Sequence, residues 1–190
     1  MNTSLFVVMI VYLAGVQATC DSETINKIKL FWKDSPPKGS LQKMVGIITW
    51  LTAPSFYINN TEEIACAQTI VETDGTARDI VIFIDESVAG YEKYKMTENE
   101  DGILTLTADS LSSDEKLYVI YLNNGVLAYY QCQVSDDETY TTFAGVGVIN
   151  ASNHDIETSP TIAKGLKEAD AALDSINLAP LPGIDIKCKD

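Results

Sequence analysis

The chain has 190 residues, 46% hydrophobic, 21% charged and 8% aromatic. That is enough for one domain with a core, and it excludes a disordered or collagen-like chain. Lys and Arg number 13 against 27 Asp and Glu, a net charge of -14; nucleic acid and anionic membrane, which need basic surface, are poor partners.

Leu5 to Val16 is an apolar run followed by Val16-Gln17-Ala18. It is too short to span a bilayer and ends in the small or apolar residues a signal peptidase reads. Residues 1–18 read as a cleaved signal peptide and residues 19–190 as one secreted domain. No later stretch is apolar enough for membrane insertion. The mature chain holds Cys20, Cys66, Cys132 and Cys188. An even count in a secreted chain points to two disulfides, with three connectivities open. The wide separations and the absence of a Cys-x-x-Cys pair argue against a zinc cluster. His154 is the single histidine, so no site needing two imidazoles can form, and no metal is expected. Asn59-Asn60-Thr61 and Asn150-Ala151-Ser152 are glycosylation triplets, expected on surface loops.

Residues 20–44 are mixed and contain Ser35-Pro36-Pro37-Lys38-Gly39, which reads as extended or turning. Val45 to Ala53 is β-branched and apolar, and Pro54 ends it. Ile64–Glu72 and Asp79–Asp85 flank Thr73-Asp74-Gly75-Thr76. Asp-Gly between apolar runs predicts a hairpin, because the turn needs positive φ. Tyr91–Thr97 and Gly102–Ala108 flank Glu98-Asn99-Glu100-Asp101, and Leu117–Leu122 and Val126–Val134 flank Asn123-Asn124-Gly125. Tyr140–Ile149 is the last long strand, and Gly145 and Gly147 within it point to tight curvature. Eight strands follow with short connections and no helices between them. A closed barrel removes their edges.

Ser159 is the expected N-cap of a late helix, with Pro160 at its first position. Ile162, Leu166, Ala169, Leu173 and Ile176 form its apolar stripe. The helix is expected outside the barrel and to end before Pro180. Gly183 to Cys188 is expected to add a short strand. The fold class is therefore all-β: an eight-stranded antiparallel up-and-down barrel with one C-terminal α-helix packed outside.

Signal peptide, eight hairpin-linked strands, late helix and cysteine-bearing tail together resemble a lipocalin. The secreted arthropod members, namely bilin-binding proteins, nitrophorins and triabin-like salivary lipocalins, are the most similar in plan. The resemblance implies the pairs Cys20–Cys132 and Cys66–Cys188, each contributing roughly 2–4 kcal/mol. The family's Gly-x-Trp motif is matched by Gly46-Ile47-Ile48-Thr49-Trp50, two residues longer. It implies that Trp50 closes one end of the barrel. Val119-Ile120-Tyr121 echoes a later motif, and Arg78, the single arginine, sits in the second hairpin rather than late in the chain.

An eight-stranded barrel is just wide enough for a small ligand. Tyr94, Tyr118, Tyr121, Tyr129 and Tyr140 are the candidate ligand-binding residues, drawn from a strand set that also includes Tyr91 and Tyr130. Side chains alternate across a strand, so Tyr118 and Tyr121 face opposite ways in a regular strand, as do Tyr129 and Tyr130. The expected ligand is a small hydrophobic molecule, such as a bilin or lipid. A biogenic amine is the alternative; it needs a carboxylate, for which Asp79, Glu92 and Asp136 are candidates. Haem would need a strand histidine, and His154 follows the last strand, so no cofactor is expected. A host or self protein bound through the acidic segments Glu98–Asp101 and Asp136–Glu138 is a further partner class. Gly-x-Ser-x-Gly, Walker-type and Gly-x-Gly-x-x-Gly patterns are all missing, and no enzyme activity is expected.

Overall fold

The computed structural model describes residues 20–33, 35–53, 63–89, 93–108, 115–134 and 140–188, with backbone alone for Ala89, Gln133, Val134, Tyr140 and Thr141. The expected signal peptide, Asn59, Tyr91, Glu92 and Asp136–Glu138 lie outside the described residues. So do residues 54–62.

Nine strands form one sheet: β1 (Gly46–Trp50), β2 (Ile64–Val71), β3 (Thr76–Phe83), β4 (Val88–Ala89), β5 (Lys93–Glu98), β6 (Ile103–Thr107), β7 (Glu115–Asn123), β8 (Val126–Val134) and β9 (Tyr140–Ile149). Neighbours pair antiparallel, β9 pairs with β1, and a β2–β3 pairing closes the ring. β4 and β5 are two lengths of one side. Both pair with β3, through Val81↔Ala89 and Ala77↔Tyr94, in registers that differ by one residue. The barrel is therefore eight-stranded and up-and-down, as the hairpin signals predict. Asn124 and Gly125 take φ of 54° and 74°, and Gly75 takes 84°. These positive values give tight turns whose twist matches that of the strands.

Alternation sorts the strand residues into two cores. Ile48, Val71, Ala77, Met96, Leu104, Leu106, Leu117, Val119, Leu127 and Tyr129 pack inside the barrel with Met44. Tyr118, Ile120, Val126, Ala128, Tyr130, Ala144 and Val146 pack outside, under helices. The main outer helix, α4 as numbered below, behaves as its stripe predicts. Ser159 Oγ accepts from Ile162 N at 3.4 Å, Pro160 opens the helix, and Ile162, Ala169 and Leu173 are buried on β7 and β8.

The helices are α1 (Ser22–Trp32), α2 (Ser40–Lys43), α3 (Asn153–Thr158) and α4 (Pro160–Ser175). α1 and α2 correct the extended reading of residues 20–44. Asp21 caps α1 by accepting from Glu23 N at 3.1 Å and Thr24 N at 3.3 Å. Ile25, Ile28 and Trp32 then recur at helical spacing and face the outer core. The Trp32 indole donates to Val119 O at 2.9 Å and stacks on Tyr118.

Cys20 is bonded to Cys132 and Cys66 to Cys188, the pairing that the resemblance implies. The first bridge ties the start of α1 to β8. The second ties the tail to β2. The tail does not form a regular strand. It makes an isolated bridge, Thr52↔Gly183, and backbone bonds from Ala53 N to Pro182 O, Ile184 N to Leu51 O and Lys187 N to Ala65 O.

Candidate ligand-binding site

One end of the barrel is closed from below. There the turns Glu72–Gly75 and Asn99–Gly102 and the Asn124–Gly125 hairpin gather, and α2 lies beside β5 and β7. The Glu98 carboxylate, on β5, accepts from Gly39 N at 2.7 Å, Ser40 N at 3.3 Å and Leu41 N at 3.0 Å. A carboxylate at a helix start satisfies donors that have no intrahelical partner and favours the dipole. Leu41 and the buried Met44 are thus pressed against the inner core. Glu98 was a candidate for protein binding; the fold uses it to hold α2.

Above this floor is a cavity of about 140 Å³. Its wall is apolar low down, with Met44, Ile48, Met96, Leu106 and Leu117, and aromatic beside that, with Trp50, Tyr94, Tyr129 and Phe143. Two glycines let the rings lie flat on the wall. A Cβ at Gly145 would stand 2.6 Å from the Tyr129 ring, and one at Gly147 would stand 2.7 Å from the Trp50 indole. Room for rings, rather than curvature alone, is what these glycines provide. Trp50 and Tyr129 have centroids 5.1 Å apart, and Tyr129 meets Phe143 edge-on at 6.2 Å.

The polar groups of the wall are organised around Asp79. Its Oδ1 accepts from Thr69 Oγ1 at 2.5 Å and from Tyr94 OH at 3.0 Å, and Trp50 Nε1 donates to Thr69 Oγ1 at 2.8 Å. Burial pushes the Tyr94 phenol well up, and the Asp79 charge adds to that. Glu115, the first residue of β7, is 8% exposed and accepts from Gln131 Nε2. Tyr129 is 7% exposed, and its hydroxyl has no hydrogen-bond partner among the described residues. Burial raises its phenol first, and the Asp79 and then the Glu115 charges raise it further.

The expected site residues separate. Tyr94 and Tyr129 stand on the cavity wall. Tyr118 and Tyr121 do not, because their positions in β7 face outward. Tyr118 packs between Trp32 and Tyr130, while Tyr121 OH donates to Glu168 Oε2 of α4 at 2.6 Å. β7 also shifts register between Val119 and Tyr121, which places both tyrosines on the outer side despite their opposite parity. The Tyr140 side chain lies outside the described residues. Trp50 is on the cavity wall, and Met44, just after α2, packs with Leu41 in the inner core at the floor. Of the carboxylates weighed for an amine, Asp79 is on the wall. Glu115 is the residue the sequence reading missed. The Glu115-x-Leu117-x-Val119 alternation contains it, but the predicted strand began at Leu117.

Arg78 is exposed, and His154 lies on α3. Asn150 is exposed as expected, but its amide is engaged. Its Oδ1 accepts from Ile47 N at 2.9 Å, and its Nδ2 donates to Val45 O at 3.3 Å.

No family model matches the chain, and no curated protein matches it. Solved structures do. The chain is similar to apocrustacyanin C2, with 16% identity over 84% of this chain and 87% of that one and a TM-score of 0.52. Lobster apocrustacyanin A1 matches at 16% identity over 88% of each chain, with a TM-score of 0.52. The fold is the lipocalin barrel. Apocrustacyanin C1 matches likewise, at 16% identity over 89% of each chain and a TM-score of 0.51. What is shared at this identity is the path of the lipocalin chain, closed barrel and outer helix included, and not the side chains of the cavity.

Proposed function

We propose that this protein is an exported lipocalin-type binding protein that carries or sequesters one small, mostly apolar ligand in its barrel. One observation supports this best: a closed floor beneath a cavity of about 140 Å³ lined by aromatic and aliphatic side chains. A cavity of comparable size, about 150 Å³, takes benzene when it is opened in a protein core. The ligand is therefore of about one ring, held by burial at roughly 25 cal/mol per Å² of apolar surface. The two disulfides fit an oxidising compartment, in keeping with export behind residues 1–18. The polar groups of the wall are engaged by protein groups, Asp79 by Thr69 and Tyr94, Glu115 by Gln131, Gln68 by Thr49 and Thr52 by Val146, which suits holding a ligand in one place.

The test uses 2-phenylethanol, a compact neutral probe, titrated calorimetrically into the mature chain. One molecule is expected to bind per chain. Ala67→Trp places an indole in the cavity, since Ala67 is a buried wall residue. Loss of the probe in a variant that keeps its circular dichroism supports the barrel as the site. Undiminished binding in that variant, or no binding to the parent chain, overturns the reading.

A further inference from the structure

We infer that the outer face of β3 and β4 joins two copies of this chain. The inference is independent of what the barrel holds. Helix packing falls on β5, β7 and β8, on the other side of the molecule's sheet. Ala77, Asp79 and Val81 point into the barrel, so Arg78 and Ile82 point out. Val88 of β4 stands directly opposite Ile82, and Ile84 follows the end of β3. Ile84 is 60% exposed and Val88 51%. Single exposed apolar side chains are ordinary, whereas these neighbour one another.

The charges on this face select the partner. Arg78 lies directly opposite Lys93 of β5, and like charges so placed repel. Neither has a carboxylate partner among the described residues. Carboxylates stand at the other end of the apolar stretch. Asp85 is held there by accepting from Ser87 N at 2.9 Å and from Ser87 Oγ. Glu63 lies beside it, since Ile84 N donates to Glu63 O. Both acidic side chains are exposed. The order along the face is therefore cation, apolar, carboxylate, with Arg78 four residues before Ile82 and Asp85 three after it. A two-fold axis in the contact plane, running across the strands at Ile82, reverses that order in a second copy. Arg78 and Lys93 of each copy then meet the acidic end of the other, while Ile82 and Val88 meet their own counterparts. A two-fold interface needs this self-complementarity, and two sheet faces pack well with their strands roughly aligned. A uniformly acidic or uniformly apolar partner would leave one end unmatched. The net charge of -14 repels a second copy at long range. Physiological salt screens that repulsion beyond about 8 Å, whereas the Arg78 contacts are local.

The test is sedimentation velocity on the mature chain at physiological salt, from low micromolar to near-millimolar concentration. A monomer–dimer equilibrium is expected. Arg78→Glu and Asp85→Lys should each raise the dissociation constant at least tenfold. Mixing these two variants should restore a dimer with one copy of each, counted by native mass spectrometry, because every altered charge then faces an opposite one. Val88→Asp, outside the turn bonds of Asp85, should also disrupt the dimer. Circular dichroism and melting curves check that each variant folds, and binding of 2-phenylethanol should be unchanged in all three. A monomer at every concentration overturns the inference. So does a dimer that none of the changes weakens, or a mixture that stays monomeric. In each of these cases the barrel reading stands.

Discussion

Tyr129 and Tyr130 are adjacent in β8 and have opposite surroundings. Tyr130 points outward into a dry layer with Tyr118, Ala144 and Val146, sealed by α1 and α4. Tyr129 points inward, against Trp50 and Phe143, on the wall of the cavity. The outer face of the sheet is packed to stabilise the molecule. The upper inner face is left under-packed and polar, with Asp79, Thr69, Tyr94 and Glu115 held by one another and by Gln131. Packing under the helices and lining of the cavity are thus divided between two sides of the same strands.

Mutation tests this division most strongly at Leu173, which α4 buries in the outer layer. Leu173→Ala should cost about 2–5 kcal/mol, measured by denaturant unfolding. Tyr129→Phe should leave stability unchanged or slightly higher, because its hydroxyl gives up no bond within the described protein. Similar losses at both sites would erase the contrast.

Gly145→Ala sharpens the comparison from the inner side. The new methyl would overlap the Tyr129 ring, and the ring must move into the cavity. A loss of about 1–3 kcal/mol is expected, together with loss of probe binding. Unchanged binding would mean that Tyr129 does not shape the site.

Glu98→Ala addresses the floor, where both faces end. It removes the carboxylate that accepts from Gly39, Ser40 and Leu41. Loss of such a cap costs about 0.5–2 kcal/mol. Faster hydrogen exchange at Leu41 and Met44, with α4 unaffected, is the expected signature.

The smallest effect lies on the exterior. Asp74 in the β2–β3 turn has its carboxyl lowered to about 2, first by the backbone bond from Thr76, then by the Thr76 hydroxyl and Lys95. Its folded value lies below its unfolded one. Its contribution is therefore present above about pH 4 and fades as pH falls toward about 2. An NMR titration of the Asp74 carboxyl should place its midpoint there; an ordinary midpoint would mean that the turn bonds are not made in solution.

Most strands could be read because hairpin chemistry is local. Asp74-Gly75 and Asn124-Gly125 demand positive φ wherever they occur between apolar runs, and the structure shows it. The α4 stripe and its Ser159 cap were equally local. The signal for α1 is weaker: Asp21 and the Ile25, Ile28, Trp32 spacing carry it, but Pro36-Pro37 a few residues on favours extended chain over the same segment. The inward parity of the tyrosines could not be read. Both faces of these strands are apolar, one against the cavity and one against helices, so alternation alone does not mark the inside.

The amino-acid sequence by itself determined the strand count, the hairpins, the outer helix and the cysteines available to staple them, because each depends on residues near one another in the chain. Tertiary structure alone decided which tyrosines line the cavity, that Glu98 supports a floor, and that Asp79 and Glu115 stand on the same cavity wall. Those outcomes depend on ring closure and on a one-residue register shift in β7, which bring together groups from strands far apart in the chain.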